Sequence, residues 1–189
     1  MDIVNVSLDF HKPFQRIVKV TIKWFPVSTK QSISIPRWTP GSYTIRDHSQ
    51  NIFDISLKQN SENIKLNRFS SSTWNTNVEP LKELVLEYFV ICTELSVRTS
   101  FIDNQFASLC LSSLLMLIEE KRYSSYSLSL ISPQGWENHT TLDFDKFYLA
   151  KDYDQLVDSP IHSGIFDVKT FYISNVKHEI ISYNIPDYI

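Results

Sequence analysis

From Val4 onward the chain alternates: Val4, Val6, Leu8 and Phe10 fall on one side, Asn5, Ser7 and Asp9 on the other. Val18, Val20, Ile22 and Trp24 repeat the pattern against Lys19, Thr21 and Lys23. A period of two marks a half-buried strand of an antiparallel sheet. Further strands are expected at Ser32–Ile35, Ile52–Leu57, Asn63–Leu66, Leu84–Ile91, Ser96–Phe101, Tyr126–Ile131, Thr170–Ile173 and Glu179–Tyr183. Short polar stretches such as Gln59–Glu62 and Ser70–Ser72 separate them and read as turns. One segment departs from the pattern. Phe106 to Tyr123 carries Leu109, Cys110, Leu114, Met116, Leu117 and Ile118, then Glu119-Glu120-Lys121-Arg122, and reads as a short helix, its serines weighing against that. The expected fold class is all-β, mainly an antiparallel β-sandwich, with one short helical segment near 106–123. No internal repeat or Pro/Gly-rich linker interrupts the chain, so 1–189 is expected to be a single domain.

The composition is that of an ordinary globular protein, 42% hydrophobic and 21% charged, long enough for a sizeable core. A formal net charge of −3 leaves no electrostatic footprint for nucleic acid or anionic lipid, so neither is an expected partner. The longest unbroken apolar run, Leu114 to Ile118, is far too short to span a membrane. The N-terminus does not resemble a signal peptide, and a cytoplasmic location is expected. Cys92 and Cys110 have no C-x-x-C spacing; one disulfide could join them, but two free thiols are the preferred reading.

Catalytic chemistry is hard to place on these residues. His178-Glu179-Ile180-Ile181-Ser182 has the first half of a zinc-binding H-E-x-x-H, but Ser182 stands where the second histidine is needed. Its β-branched residues read as a strand. Glycines at 41, 135 and 164 alone cannot build a G-x-S-x-G nucleophile elbow or a phosphate loop. Asp152, Asp154 and Asp158 lack the spacing of a calcium loop and read as a solvated turn. Asn138-His139-Thr140 satisfies a glycosylation sequon of the kind that arises by chance.

The three glycines sit at distinctive places. Ile35-Pro36-Arg37-Trp38-Thr39-Pro40-Gly41-Ser42-Tyr43-Thr44-Ile45-Arg46-Asp47 contains a Pro-Gly pair suited to the two central positions of a type II turn. Pro133-Gln134-Gly135-Trp136 reads as a tight turn, with Trp136 free to plug the core. Asp158-Ser159-Pro160-Ile161-His162-Ser163-Gly164-Ile165-Phe166 pairs a proline entry with a glycine exit.

Together with Trp74, Ser96-Val97-Arg98-Thr99 and Asp152-Tyr153-Asp154-Gln155-Leu156-Val157, these segments resemble, in order, the N-terminal domain of the glycyl aminopeptidase family of zinc metallopeptidases. The resemblance runs from about Val4 to about Ser182. It implies an all-β, non-catalytic domain that precedes a thermolysin-like catalytic domain bearing the H-E-x-x-H helix. Zinc is then expected in that catalytic domain, and this chain carries no cofactor or catalytic residue of its own. The implied partners are the catalytic domain of the same polypeptide and the parent enzyme's peptide substrate; an isolated domain could instead form a homodimer through its uncovered face. Interface or substrate-cleft candidates are Arg37, Trp38, Tyr43, Arg46, Asp47, Asp158 and Ser159. The competing reading of these residues is core packing for Trp38 and Tyr43 and an ion pair for Arg46. The competing function is a free-standing β-sandwich module that binds a peptide or carbohydrate.

Overall fold

The computed structural model describes residues 3–38 and 44–184. Its largest layer is an eight-stranded sheet in the order Asp143–Phe144, Tyr148–Ala150, Ser125–Ile131, Ile3–Asp9, Ile17–Trp24, Leu84–Ile91, Ile52–Gln59, Glu62–Ile64. Every neighbouring pair is antiparallel except Ile3–Asp9 with Ser125–Ile131, which run parallel with Val4 opposite Tyr126 and Val6 opposite Leu128. The alternation in the sequence becomes two faces. Val4, Val6, Leu8, Val18, Val20, Ile22, Trp24, Leu86 and Tyr88 are buried, while Lys19, Thr21 and Glu87 lie on the outer face. There Glu87 sits between Lys19 (2.6 Å) and Lys58 (3.3 Å). The Lys19 ammonium, bonded to the Glu87 carboxyl, holds it below the usual carboxylate range.

Two smaller sheets add to the same core. One has the order Glu137–His139, Ile161–Gly164, Phe106–Leu109, Thr99–Ile102, Thr93–Ser96 and contributes Ala107, Leu109, Ile102 and Ile161. The other has the order Leu117–Ile118, Lys30–Ser34, Thr73–Asn77, Asn67–Arg68 and contributes Ile33 and Trp74. A separate hairpin, Asp167–Ile173 with Val176–Ser182, follows them in the chain. Trp136 packs against the core as expected. Gly135 before it takes φ +85°, the conformation required at the third position of a turn closed by Trp136 N–H on the Pro133 carbonyl.

The helical segment expected over 106–123 is broken into pieces. Phe106–Leu109 and Leu117–Ile118 are strands, and only Leu111–Ser113 and Glu119–Lys121 form single 3-10 turns. The reason is burial on all sides: Leu111 to Ile118 are buried without exception, whereas a surface helix hides one stripe. Ser113 Oγ also bonds the Cys110 carbonyl at 2.8 Å, satisfying the backbone by another route. Buried tyrosines complete the job. Tyr88 Oη donates to the Leu114 carbonyl (2.8 Å) and accepts from Met116 N–H (2.9 Å); Tyr153 Oη donates to the Leu115 carbonyl (2.7 Å).

The α-helix among the described residues is Tyr153–Val157. Asp152 caps it, its Oδ1 accepting Gln155 N–H at 2.7 Å, and Asp154 pairs with Arg122 at 2.9 Å. The acidic run is thus a helix cap and an ion pair. Both cysteines are free. Cys92 is buried, which pushes its thiol up to about 12. Among the described residues no helix is long and apolar enough to cross a membrane.

Candidate functional site

The strand Lys30–Ser34 is followed by Ile35, buried and bonded through its N–H to the Ser72 carbonyl (2.9 Å), and Pro36 stops the pairing. Arg37 and Arg46 then close a loop, Arg46 N–H donating to the Arg37 carbonyl at 2.8 Å. Residues 39–43 lie outside the described residues, so the Pro40-Gly41 corner and Tyr43 have no structural account. On the flanks Trp38 is 60% exposed and Ile45 is 69% exposed. Asp47 leads into the 3-10 turn His48–Asn51, its Oδ1 accepting from Ser49 Oγ at 2.6 Å.

Arg46 Nη1 stands 3.9 Å from Glu94 Oε1, a charge contact too long for a hydrogen bond. Behind it, His48 is buried; burial first, then the Arg46 charge, holds its imidazole below the ordinary histidine range. Arg46 Nε and His48 Nε2 are themselves buried with no hydrogen-bond partner among the described residues.

Glu94 belongs to Thr93–Ser96, the last strand of the five-stranded sheet. The expected strand Ser96–Phe101 is interrupted just beyond it: Ser96 Oγ accepts Arg98 N–H at 3.0 Å and turns the chain, leaving Val97 88% exposed before Thr99–Ile102 resumes the sheet. Beside this turn is a cavity of about 310 Å3, lined among others by Leu95, Val97, Leu109, Cys110, Pro160 and His162. His162 is held below its ordinary range by burial and then by His139, which lies opposite it across the sheet.

The 158–166 segment reaches the same cavity. Asp158 is exposed and ends the short helix, its N–H donating to the Asp154 carbonyl; Ser159 is buried, its Oγ donating to the Gln155 carbonyl at 2.8 Å. Pro160 and His162 follow on the cavity wall. The structure therefore brings Arg37, Arg46 and Asp47 together, and places Asp158 and Ser159 apart from them on the helix end. Thr93–Ser96 links the two groups, with Glu94 against the first and Leu95 on the cavity reached by the second. His48, Glu94, Leu95, Cys110 and His162 were not among the site candidates expected from the sequence. The Arg46–Glu94 contact spans 48 positions, and only the arginine side of it carries a local signal.

The described residues gather no group of three or more His, Cys, Asp or Glu side chains that could hold an ion. The donor set for zinc does not fit here, and no chemical step runs through it. What the described residues present here is an open sheet edge, a largely apolar cavity and an arginine Nε with no acceptor among them.

In its sequence the chain matches the peptidase M61 N-terminal domain over residues 5–165. It matches none of the curated proteins. In structure it is similar to an aminopeptidase N family protein from Idiomarina loihiensis, 22% identical with a TM-score of 0.88; the match covers 94% of this chain and 32% of that one. A Deinococcus radiodurans M1 zinc metallopeptidase mutant bound to a Tyr-Ser-Ala substrate shares the fold at 6% identity and a TM-score of 0.57, over 100% of this chain and 49% of that one. Legionella pneumophila aminopeptidase A does so at 12% identity and 0.54, over 94% of this chain and 23% of that one. The chain thus spans a third to a half of the first of these relatives and less of the last. The resemblance read from the motifs holds, and the chain belongs to the family of peptidase M61 N-terminal domains.

Proposed function

We propose that this chain is the non-catalytic N-terminal domain of a glycyl-aminopeptidase-like zinc metallopeptidase, and that it packs on the catalytic domain and helps shape the peptide-binding cleft. The observation that carries the reading is that two family motifs, though apart from one another, each reach the same sheet edge. Arg46 stands against Glu94, and Pro160 and His162 share a cavity wall with Leu95 and Val97; Trp38, Ile45, Leu95 and Val97 are all exposed. A large apolar side chain exposed once is unremarkable; four within the segments that lead to and form this edge suit a partner. Arg46 would meet an acceptor on the catalytic side, with zinc and its ligands supplied there.

The test uses the polypeptide read on through Ile189 beside the 189-residue chain. Zinc-dependent cleavage of a glycyl-peptide is expected from the longer form alone. In that form Arg46→Ala and Trp38→Ala should lower kcat/KM about ten-fold, roughly the loss of one charged hydrogen bond, with little change in Tm. Unchanged kinetics with a lowered Tm would make both residues structural. A stop codon after Ile189 would favour the free-standing binding module.

A further inference from the structure

Beyond Phe166 the chain forms a hairpin, Asp167–Ile173 with Val176–Ser182, that pairs with no other described strand. It is firmly specified. Ser174 and Asn175 take φ of 49° and 64°, the positive values of a two-residue type I′ turn, and the register runs unbroken from Asp167 opposite Ser182 to Ile173 opposite Val176. Its base is anchored on the five-stranded sheet: the Tyr183 ring lies 5.3 Å from Phe106, Phe106 lies 6.5 Å from Phe166, and His139 meets Phe166 edge-on at 5.7 Å. Above that base every residue of Asp167–Ile173 is exposed.

The register sorts the two faces of this arm. One carries Lys169, Phe171, Ile173, Val176, His178 and Ile180, with Phe171 stacked on His178 at 5.2 Å. The other carries Val168, Thr170, Tyr172 and Ile181 with the Lys177–Glu179 ion pair at 2.5 Å. Four large apolar side chains thus share one face, each 40% exposed or more. A two-stranded hairpin is marginal in water unless a face is packed.

We propose that the Phe171–Ile180 face of this arm docks on the catalytic half of a longer polypeptide. This rests on the reading of the chain as a peptidase N-terminal domain. The occupant follows from where the arm lies. The family's N-terminal domain match stops at residue 165, two residues before the arm. The Deinococcus relative matches the whole chain, arm included, yet this is only 49% of that protein. The arm therefore lies outside the family's N-terminal domain match and inside a fold shared with a protein about twice as long. The surface it meets is apolar, with an acidic group for Lys169.

Hydrogen exchange by mass spectrometry on the 189-residue chain and on the polypeptide read through Ile189 tests this. Amides 168–181 should exchange about ten-fold or more slowly in the longer form. Ile180→Lys should return them to the short chain's rate, while Tyr172→Lys on the opposite face leaves them slow. Both positions are exposed, so an unchanged Tm in the short chain will show that neither variant disturbs the domain itself. Equal exchange in the two forms, or equal effects of the two variants, overturns the proposal. So does a reading frame that closes at Ile189, or an arm protected only through a concentration-dependent dimer that Ile180→Lys abolishes. If the longer form protects the arm but cleaves no peptide, the docking stands and the peptidase reading fails.

Discussion

Removing one oxygen atom, by Tyr88→Phe, tests how the buried 111–121 segment is held. The hydroxyl serves two backbone groups at once, the Leu114 carbonyl at 2.8 Å and the Met116 N–H at 2.9 Å, and Tyr88 is completely buried. Burial also pushes its phenol well above the ordinary tyrosine range, so the hydroxyl remains protonated and donating at any working pH. Phenylalanine fills nearly the same space but strands a buried donor and a buried acceptor. Each such group costs about 1–3 kcal/mol, so roughly 3 kcal/mol in all is expected once some relaxation is allowed. For a chain of this length that lowers Tm by about 6–12 °C. Tyr153→Phe, which strands only the Leu115 carbonyl, should cost about 1–2 kcal/mol. Tyr172→Phe, exposed on the arm, should stay within about 0.5 kcal/mol. Thermal and urea denaturation of the three variants give the ranking. A Tyr88→Phe chain as stable as the Tyr172→Phe one would refute the claim that tyrosine hydroxyls replace the missing helix.

Gly164→Ala should destabilise by about 1–3 kcal/mol through overpacking, because a Cβ there meets Phe106 Cβ at 3.0 Å, Phe166 Cζ at 3.1 Å and the Gln105 carbonyl at 3.2 Å; a neutral result in urea denaturation would show that the strands can give way. Asp152→Ala should cost about 1 kcal/mol by uncapping Tyr153–Val157, with Asp152→Asn or Asp152→Ser restoring most of it. Acid should weaken the fold. His48 and His162 are both held below the ordinary value of about 6.5, so as pH falls past it the unfolded chain takes up protons that the folded chain refuses, and stability is lost down to the folded values. Between pH 7.5 and 5.5 the urea midpoint should fall, and His48→Gln with His162→Gln should flatten the fall; an equal fall in the double variant would refute this.

Sequence reading worked where the cause is local. Alternation placed Ile17–Trp24 and Leu84–Ile91 almost to the residue, because one face of each must be buried and the side-chain period is two. It failed where a segment is buried on every side, as in Leu111–Ile118, since uniform apolarity has no period. It also passed over Thr73–Asn77, whose buried positions are Trp74 and Thr76 among asparagines, a strand that exists because it pairs with Lys30–Ser34. At the candidate site, Arg37, Trp38 and Arg46 were visible as a motif. Glu94, which stands against Arg46, arrives from a distant strand, and that contact leaves no mark on either segment alone.

The fold itself explains some of the family motifs and leaves others over. Gly135 is required by a turn at positive φ, Gly164 by lack of room, Ser159 by the Gln155 carbonyl it caps, and Trp74 and Trp136 by packing on the core. None of these needs a partner. Arg46 is different: it keeps a buried Nε with no acceptor among the described residues, beside a long contact to Glu94. A stranded guanidinium donor costs free energy in the domain by itself. That cost makes sense if the acceptor lies on another surface. Arg46 thus leaves a donor over beside Thr93–Ser96, and the arm follows Phe166 with its base against Phe106 of the same sheet. Both features lie on the one five-stranded sheet, which is why a partner covering that sheet is the reading proposed above.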